Sequence, residues 1–362
     1  MQEIFKNAIA QYDSKNVLGS VELFPNQCIS TWNASVAEKV GQSNGGIKNI
    51  IVLGMGGSAL GAYILQSLDI FTVPINISHD YNIPNFVNEN TLVLAISYSG
   101  GTEETISATQ KAIAKNAQVV CITVGGELEK IAVENNLDLR KINTEYNPCN
   151  QPRFGVGFMM MHIIKVATDY GVCNLKSEEV EKALAELEAW QNNFKNPSSV
   201  LPLERAGGTT IDTIYTEAQE MKDFMPVLVY SEHLTNLGRF TRNQIHETAK
   251  TLALAHEIPE LNHHLMEGLE FPDTNKEKVY FVFFESNLYS EKINKRIAVT
   301  KDVLSKQGIK YKTVDMDGES KLAQTLIGMQ RAMYLAYTLG IIHEKDPSDI
   351  KWVNYFKEQL AK

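Results

Sequence analysis

Two stretches of this sequence have the composition of an anion-holding turn. "SYSGGT" (97–102) ends an apolar run, and Glu103 and Glu104 follow it at once. Every residue in it is a glycine or bears a hydroxyl. Ser97, Ser99 and Thr102 offer hydroxyl donors, while Gly100 and Gly101 allow close approach to the backbone. Earlier, "GMGGSALGA" (54–62) sets Gly54, Gly56 and Gly57 ahead of Ser58. A glycine turn that opens a helix faces backbone N–H groups toward an anion, and the helix dipole adds to the attraction. Neither stretch is a common nucleotide loop. No Gly-Lys-Ser/Thr follows, the G-x-G-x-x-G spacing is irregular, and only Asp80 stands loosely where a ribose-binding carboxylate belongs. Without a lysine, a single phosphate monoester fits better than a triphosphate. Taken singly, each turn could be an ordinary βα turn with hydroxyl caps. Two of them on strand ends of one sheet favour a phosphosugar pocket formed by Ser97, Ser99 and Thr102 with Gly56, Gly57 and Ser58.

Such turns need strands and helices in alternation. Residues 49–57, 75–80, 91–99 and 118–126 read as strands, and Ala59–Leu68 and Glu104–Lys115 as amphipathic helices between them. Continuous apolar strands alternating with helices predict a parallel sheet covered on both faces. Two long helical patterns follow at 154–171 and 177–194. Ser177 stands as N-cap of the second, with Glu178 and Glu179 in its first turn, and Val180 rules out a full capping box. Residues 195–204 read as a polar linker. Strand-like runs return at 226–231, 278–286 and 309–317, and the chain closes on a helix after Asp346-Pro347. The expected class is α/β: two doubly wound parallel-sheet halves joined by helices. The expected boundaries are 1–155 with a leading helix, connecting helices and linker over 156–204, and 205–362 with a terminal helix.

The 362 residues are 44% hydrophobic and 21% charged, a globular composition, and the formal net charge of −9 argues against nucleic acid as a main partner. Cys28, Cys121, Cys149 and Cys173 form no C-x-x-C pair and no zinc-finger spacing, so reduced thiols in a cytoplasmic protein are expected. The first 16 residues lack the apolar core of a signal peptide, and no run is long enough to span a membrane. No H-E-x-x-H or paired histidines at helical spacing call for a metal, and no cofactor is expected.

"GMGGSALGA" with "SYSGGTEET" resembles the sugar-isomerase domain. "QPRFGVG", "HETAK" and "PELNHH" make the resemblance narrower, to the bifunctional phosphoglucose/phosphomannose isomerases of archaea and bacteria. The resemblance spans both halves in order. It implies two sugar-isomerase subdomains and an aldose–ketose isomerase that needs a base, a ring opener and a cation for the enediolate. It implies Glu247 as base, although Thr248 stands where relatives often carry Asn; on periodicity alone, Glu247 and Lys250 read as an i,i+3 ion pair on a helix. It picks His263 over His264 for ring opening, contributed across a homodimer, where spacing alone suggests a satisfied surface histidine. Arg153, a loop arginine between Pro152 and Gly155, becomes the enediolate stabiliser. Lys357 matches a C-terminal lysine, with Lys351 as competitor. A phosphosugar-sensing regulator is the rival from another class, and an isomerase of another sugar phosphate the enzymatic one. Arg239 and Arg242 stay unassigned between lining the site and pairing across a dimer.

Overall fold

The computed structural model describes residues 2–37, 46–195, 209–360 and 362. The linker expected over 195–204 lies outside them beyond Lys195. Helices α1 (Gln2–Tyr12), α2 (Val17–Glu22) and α3 (Phe24–Ala37) come first. An alternating stretch follows: β1 (Asn49–Leu53), α4 (Gly57–Ser67), β2 (Ile75–Ser78), β3 (Thr91–Ser97), α5 (Glu103–Ala114), β4 (Gln118–Thr123), α6 (Gly126–Glu134) and β5 (Asp138–Lys141). Helices α7 (Val156–Asp169), α8 (Ser177–Lys195) and α9 (Ile211–Met221) lead to a second alternation. It comprises β6 (Met225–Ser231), α10 (Thr235–Gln244), β7 (Leu254–Ile258), α11 (Leu265–Gly268), α12 (Asn275–Lys278), β8 (Val279–Glu285), α13 (Glu291–Lys306) and β9 (Lys310–Asp315). Helices α14 (Lys321–Ile342) and α15 (Lys351–Leu360) close the chain.

The chain divides into two compact units, one of residues 22–186 and one of 1–21 with 187–362. The first unit holds a parallel sheet of order β2-β1-β3-β4-β5. Strand β3 is buried along its whole length, and β1 along all but its first residue, which is why both read as unbroken apolar runs. One face packs Ile51, Val93, Ala95 and Cys121 against Ala108 and Ala112 of α5 and Leu128 of α6. Strand order reverses between β1 and β3. In open α/β sheets such a switch point opens a crevice at the carboxyl ends of the strands.

The second unit holds a parallel sheet of order β7-β6-β8-β9, with its own reversal between β6 and β8. Helix α14 is buried all round from Leu322 to Ile341. It carries Arg331, whose guanidinium pairs with Glu217 of α9 in the interior.

The division differs from the boundaries expected of the sequence, for reasons of packing. Helix α7 packs on α3 and α4 of the first unit instead of joining a separate connector. The leading α1 and α2 belong to the second unit, where Tyr337 donates to Asp13 Oδ2 at 3.1 Å and Gln330 Nε2 donates to the Val21 carbonyl at 3.1 Å. Glu179 accepts the Lys176 N–H at 2.9 Å, and α8 already begins at Ser177, so Lys176 takes the cap position expected of Ser177. Strands β5 and β7, both at sheet edges, escape sequence pattern because charged residues interrupt their short apolar runs, "DLRK" and "LAHEI". Among the described residues no helix is long and apolar enough to cross a membrane. The four cysteines form no disulfide, and burial raises the Cys121 thiol to about 12.

Candidate active site

Both glycine-hydroxyl turns stand at the switch point of the first unit, one after β1 and one after β3. Ser97 is fully buried; its Oγ lies 2.9 Å from Thr102 Oγ1 and accepts the Gly100 N–H at 3.1 Å. Thr102 is the residue before α5, yet its side chain makes no capping bond. The hydroxyls therefore face one another within the turn instead of serving as helix caps. Ser99 is exposed, and its Oγ accepts the Gly101 N–H at 3.4 Å. Ser58 is buried at the start of α4 and accepts the Tyr98 N–H at 3.1 Å, which ties the two turns together. Gly56 caps α4 with φ +50° and no side-chain bond.

A third turn, after β4, buttresses the second. Val124 N–H donates to the Tyr98 carbonyl at 3.1 Å and Leu128 N–H to the Gly100 carbonyl at 2.9 Å. This support was missed in the sequence, although the Gly125-Gly126 pair just past β4 is its visible mark. Tyr98 is buried beneath, where Asn147 Nδ2 donates to its hydroxyl at 2.9 Å; burial pushes the phenol pKa up, partly countered by Asn147.

Arg153 lies on a short 3₁₀ turn, Pro152–Phe154, directly against the first glycine turn. A Cβ on Gly57 would sit 2.9 Å from the Arg153 main-chain nitrogen, so only glycine lets the start of α4 approach this loop. The arginine is buried, at 3% exposure; its Nη1 donates to Gln151 Oε1 at 3.1 Å, and its guanidinium lies 5.1 Å from the Phe154 ring centre. A buried guanidinium on the loop that packs against the glycine turn suits an oxyanion ligand.

The remaining candidates lie in the second unit. The helix expected to carry Glu247 and Lys250 on one face is interrupted. Helix α10 stops at Gln244, Ile245–Ala249 form a π turn, and Lys250 takes left-handed backbone at φ +55°. Lys250 Nζ consequently donates to the Glu247 main-chain carbonyl at 2.5 Å. A single π turn in a helix is often a functional device. Here it sets half-buried Glu247 on a cavity of about 470 Å³ lined also by Lys250, Lys345, Asp346 and Lys351. Lys357 sits on the last turn of α15, so the α15 lysine that shares the cavity with Glu247 is Lys351. Asp346 was not foreseen. Burial works against its charge, but bonds from Ser14 and Ser348 and the nearby Lys250 hold its carboxyl below the usual range.

His263 and His264 are both exposed at the end of the 3₁₀ turn Glu260–His263. His264 is engaged within its own chain: Nε2 lies 3.9 Å from Glu260 and its ring 6.2 Å from that of His256, whose pKa is lowered by burial and by His264. Arg239 is exposed, and Arg242 donates to Asn243 Oδ1 at 3.0 and 3.2 Å. Among the described residues no group of three or more His, Cys, Asp or Glu side chains is disposed to hold a metal ion.

Both units have counterparts among known proteins. The SIS domain model matches residues 46–148, and the bacterial phospho-glucose isomerase C-terminal SIS domain model matches 212–360. A solved hypothetical protein from Thermus thermophilus superposes with a TM-score of 0.71 over 99% of this chain and 93% of its own, at 17% identity, a likeness of fold. The bifunctional phosphoglucose/phosphomannose isomerase of Aquifex aeolicus is 29% identical over 87% of this chain and 91% of its own. That of Thermoplasma acidophilum is 32% identical over 88% of this chain and 91% of its own. With that identity carried through both units, the chain belongs to the bifunctional phosphoglucose/phosphomannose isomerase family.

Proposed function

We propose that the protein is an aldose–ketose isomerase that interconverts fructose 6-phosphate with glucose 6-phosphate and mannose 6-phosphate through an enediol, without a metal. The carrying observation is the hydroxyl turn Ser97–Thr102 at the switch point, tied through Ser58 to a glycine turn packed on buried Arg153. In this reading Ser97, Ser99 and Thr102 take the phosphate, with Gly56, Gly57 and Ser58 shaping the backbone beside it. His263 protonates the ring oxygen as the C1 hydroxyl loses its proton, which opens the ring. Glu247 then takes the C2 proton of the open aldose while the C1 carbonyl oxygen gains one, giving the enediol. Return of a proton to C1 and loss of the O2 proton gives the ketose, so atoms and charge balance. Arg153 stabilises the negative oxygen in passing, and Lys351, on the Glu247 cavity, takes the part expected of Lys357. Four cysteines without a disulfide suit the proposed cytoplasmic location.

The test supplies fructose 6-phosphate to the purified protein, with and without a chelator, and measures both aldose phosphates. Formation of both at a rate the chelator leaves unchanged is expected. Binding without turnover would favour a phosphosugar sensor, and loss of activity on chelation would overturn metal independence.

A homodimer is part of the proposal. Helix α15 is exposed throughout and turns Trp352, Phe356 and Leu360 along one side, an apolar stripe that a second copy would cover. Sedimentation is expected to give twice the mass of one chain, and Trp352→Glu to shift it toward one. If His263 serves the partner's site, mixed dimers of Glu247→Gln and His263→Ala chains regain activity, since one of the two sites then holds both native residues. Mixed dimers as inactive as either parent would place His263 in its own chain's site.

A further inference from the structure

A histidine to which the roles above assign nothing braces the first glycine turn. His79, just past β2, places Nδ1 2.7 Å from the Gly54 carbonyl oxygen and Nε2 2.5 Å from the Tyr63 hydroxyl. The Tyr63 and His79 rings lie 5.5 Å apart with an interplanar angle of 31°. A carbonyl only accepts, so the imidazole proton resides on Nδ1. With the proton on Nδ1, Nε2 is the nitrogen that can accept the Tyr63 O–H, and this second bond selects the tautomer that the first requires. Gly54 also donates its own N–H to the Ser78 carbonyl at 3.4 Å. Both backbone groups of Gly54 are thus held from the β2 side. The Gly54–Met55 peptide is trans, which turns its N–H opposite to its carbonyl. The Met55 N–H is therefore directed to the other side of β1, where the neighbouring strand is β3 and the Ser97–Thr102 turn follows. Without the brace, a glycine at the head of a glycine-rich turn has wide rotational freedom.

We propose that His79, oriented by Tyr63, is a positioning residue for phosphate binding: it holds the Gly54–Met55 peptide plane so that the turn presents its N–H groups to the anion before the anion arrives. The inference rests on the phosphate-binding reading of the cradle. Donors fixed in advance bind without the cost of ordering them.

The test measures kcat and KM for fructose 6-phosphate and the inhibition constant of inorganic phosphate on the full-length protein. His79→Leu is expected to raise KM and the phosphate constant together by about five- to ten-fold, the size of one lost hydrogen bond, with kcat within about two-fold. His79→Asn, whose amide N–H replaces the Nδ1 donor, should restore both to within about two-fold of the parent, which a loss of packing alone would not do. Tyr63→Phe should raise both by about three-fold. A His79→Leu protein with the parental melting temperature and unchanged KM and phosphate constant would overturn the inference. So would a fall in kcat alone. If His79→Leu does not fold, Tyr63→Phe decides, and no rise there overturns the inference. A parent that neither converts fructose 6-phosphate nor binds inorganic phosphate sinks the cradle reading and this inference with it. A parent that does both beside unaffected variants sinks this inference alone.

Discussion

Glu247→Gln is expected to lower kcat for fructose 6-phosphate by about 10³-fold, with substrate affinity within a few-fold of the parent. The amide keeps the size and hydrogen-bonding reach of the carboxylate but cannot accept the proton on C2. The local fold should tolerate the change, because buried neighbours of Glu247 anchor the π turn. Ile245, Thr248 and Ala249 are buried, and the Thr248 carbonyl lies so near α14 that a Cβ on Gly340 would stand 2.7 Å from it. Glu247 itself is half-buried and faces the cavity with three lysines. The measurements are kcat, KM and a binding titration with the same sugar phosphate. A variant retaining more than a tenth of parental turnover would show that another group is the base. A variant that loses binding as well would make Glu247 a residue of substrate recognition.

The π turn also shows where sequence pattern stops being informative. From Thr235 onward the apolar spacing runs on without a break into "NQIHETAK", so an α-helix with a Glu247–Lys250 face is the natural reading. What ends it is tertiary: the fully buried α14 packs against the turn, and its residues are far away in sequence. The strands that bear the cradle were legible for the opposite reason. Strands β1, β3, β6 and β8 are covered on both faces, so burial is written into consecutive apolar residues. The hydroxyl turn could be found from composition, and its position beside the glycine turn follows once β1 and β3 are recognised as neighbours. The depth of Arg153 was not legible, since arginine on a loop is usually solvated and its burial comes from tertiary packing. Nor did position on the terminal helix separate Lys351 from Lys357, whereas Lys351 is a lining residue of the Glu247 cavity.

Adjacent glycines in the cradle should respond to one added methyl in opposite ways. Gly100 has φ +73°, and a Cβ there would lie 1.7 Å from the Gly125 carbonyl oxygen, a backbone atom of the buttressing turn. No rotamer relieves such a clash, so one turn must move from the other, and the bonds that join them, Leu128 to Gly100 and Val124 to Tyr98, are lost with it. Gly100→Ala is expected to destabilise the protein by about 3 kcal/mol or more in urea unfolding and to raise the inorganic-phosphate constant by at least about ten-fold. At Gly101 the backbone lies outside the left-handed region, and an added Cβ meets nothing within 4 Å. Gly101→Ala should therefore unfold within about 0.5 kcal/mol of the parent. If the open space over Gly101 is where the phosphate sits, the methyl intrudes on the ligand alone, and KM for fructose 6-phosphate rises by about ten-fold without loss of stability. The pair separates support of the turn from contact with the substrate, which a single substitution cannot do. A Gly101→Ala protein with parental stability and KM within about two-fold would move the phosphate off this turn. A Gly100→Ala protein of parental stability would show that the two turns are not locked together as their hydrogen bonds imply.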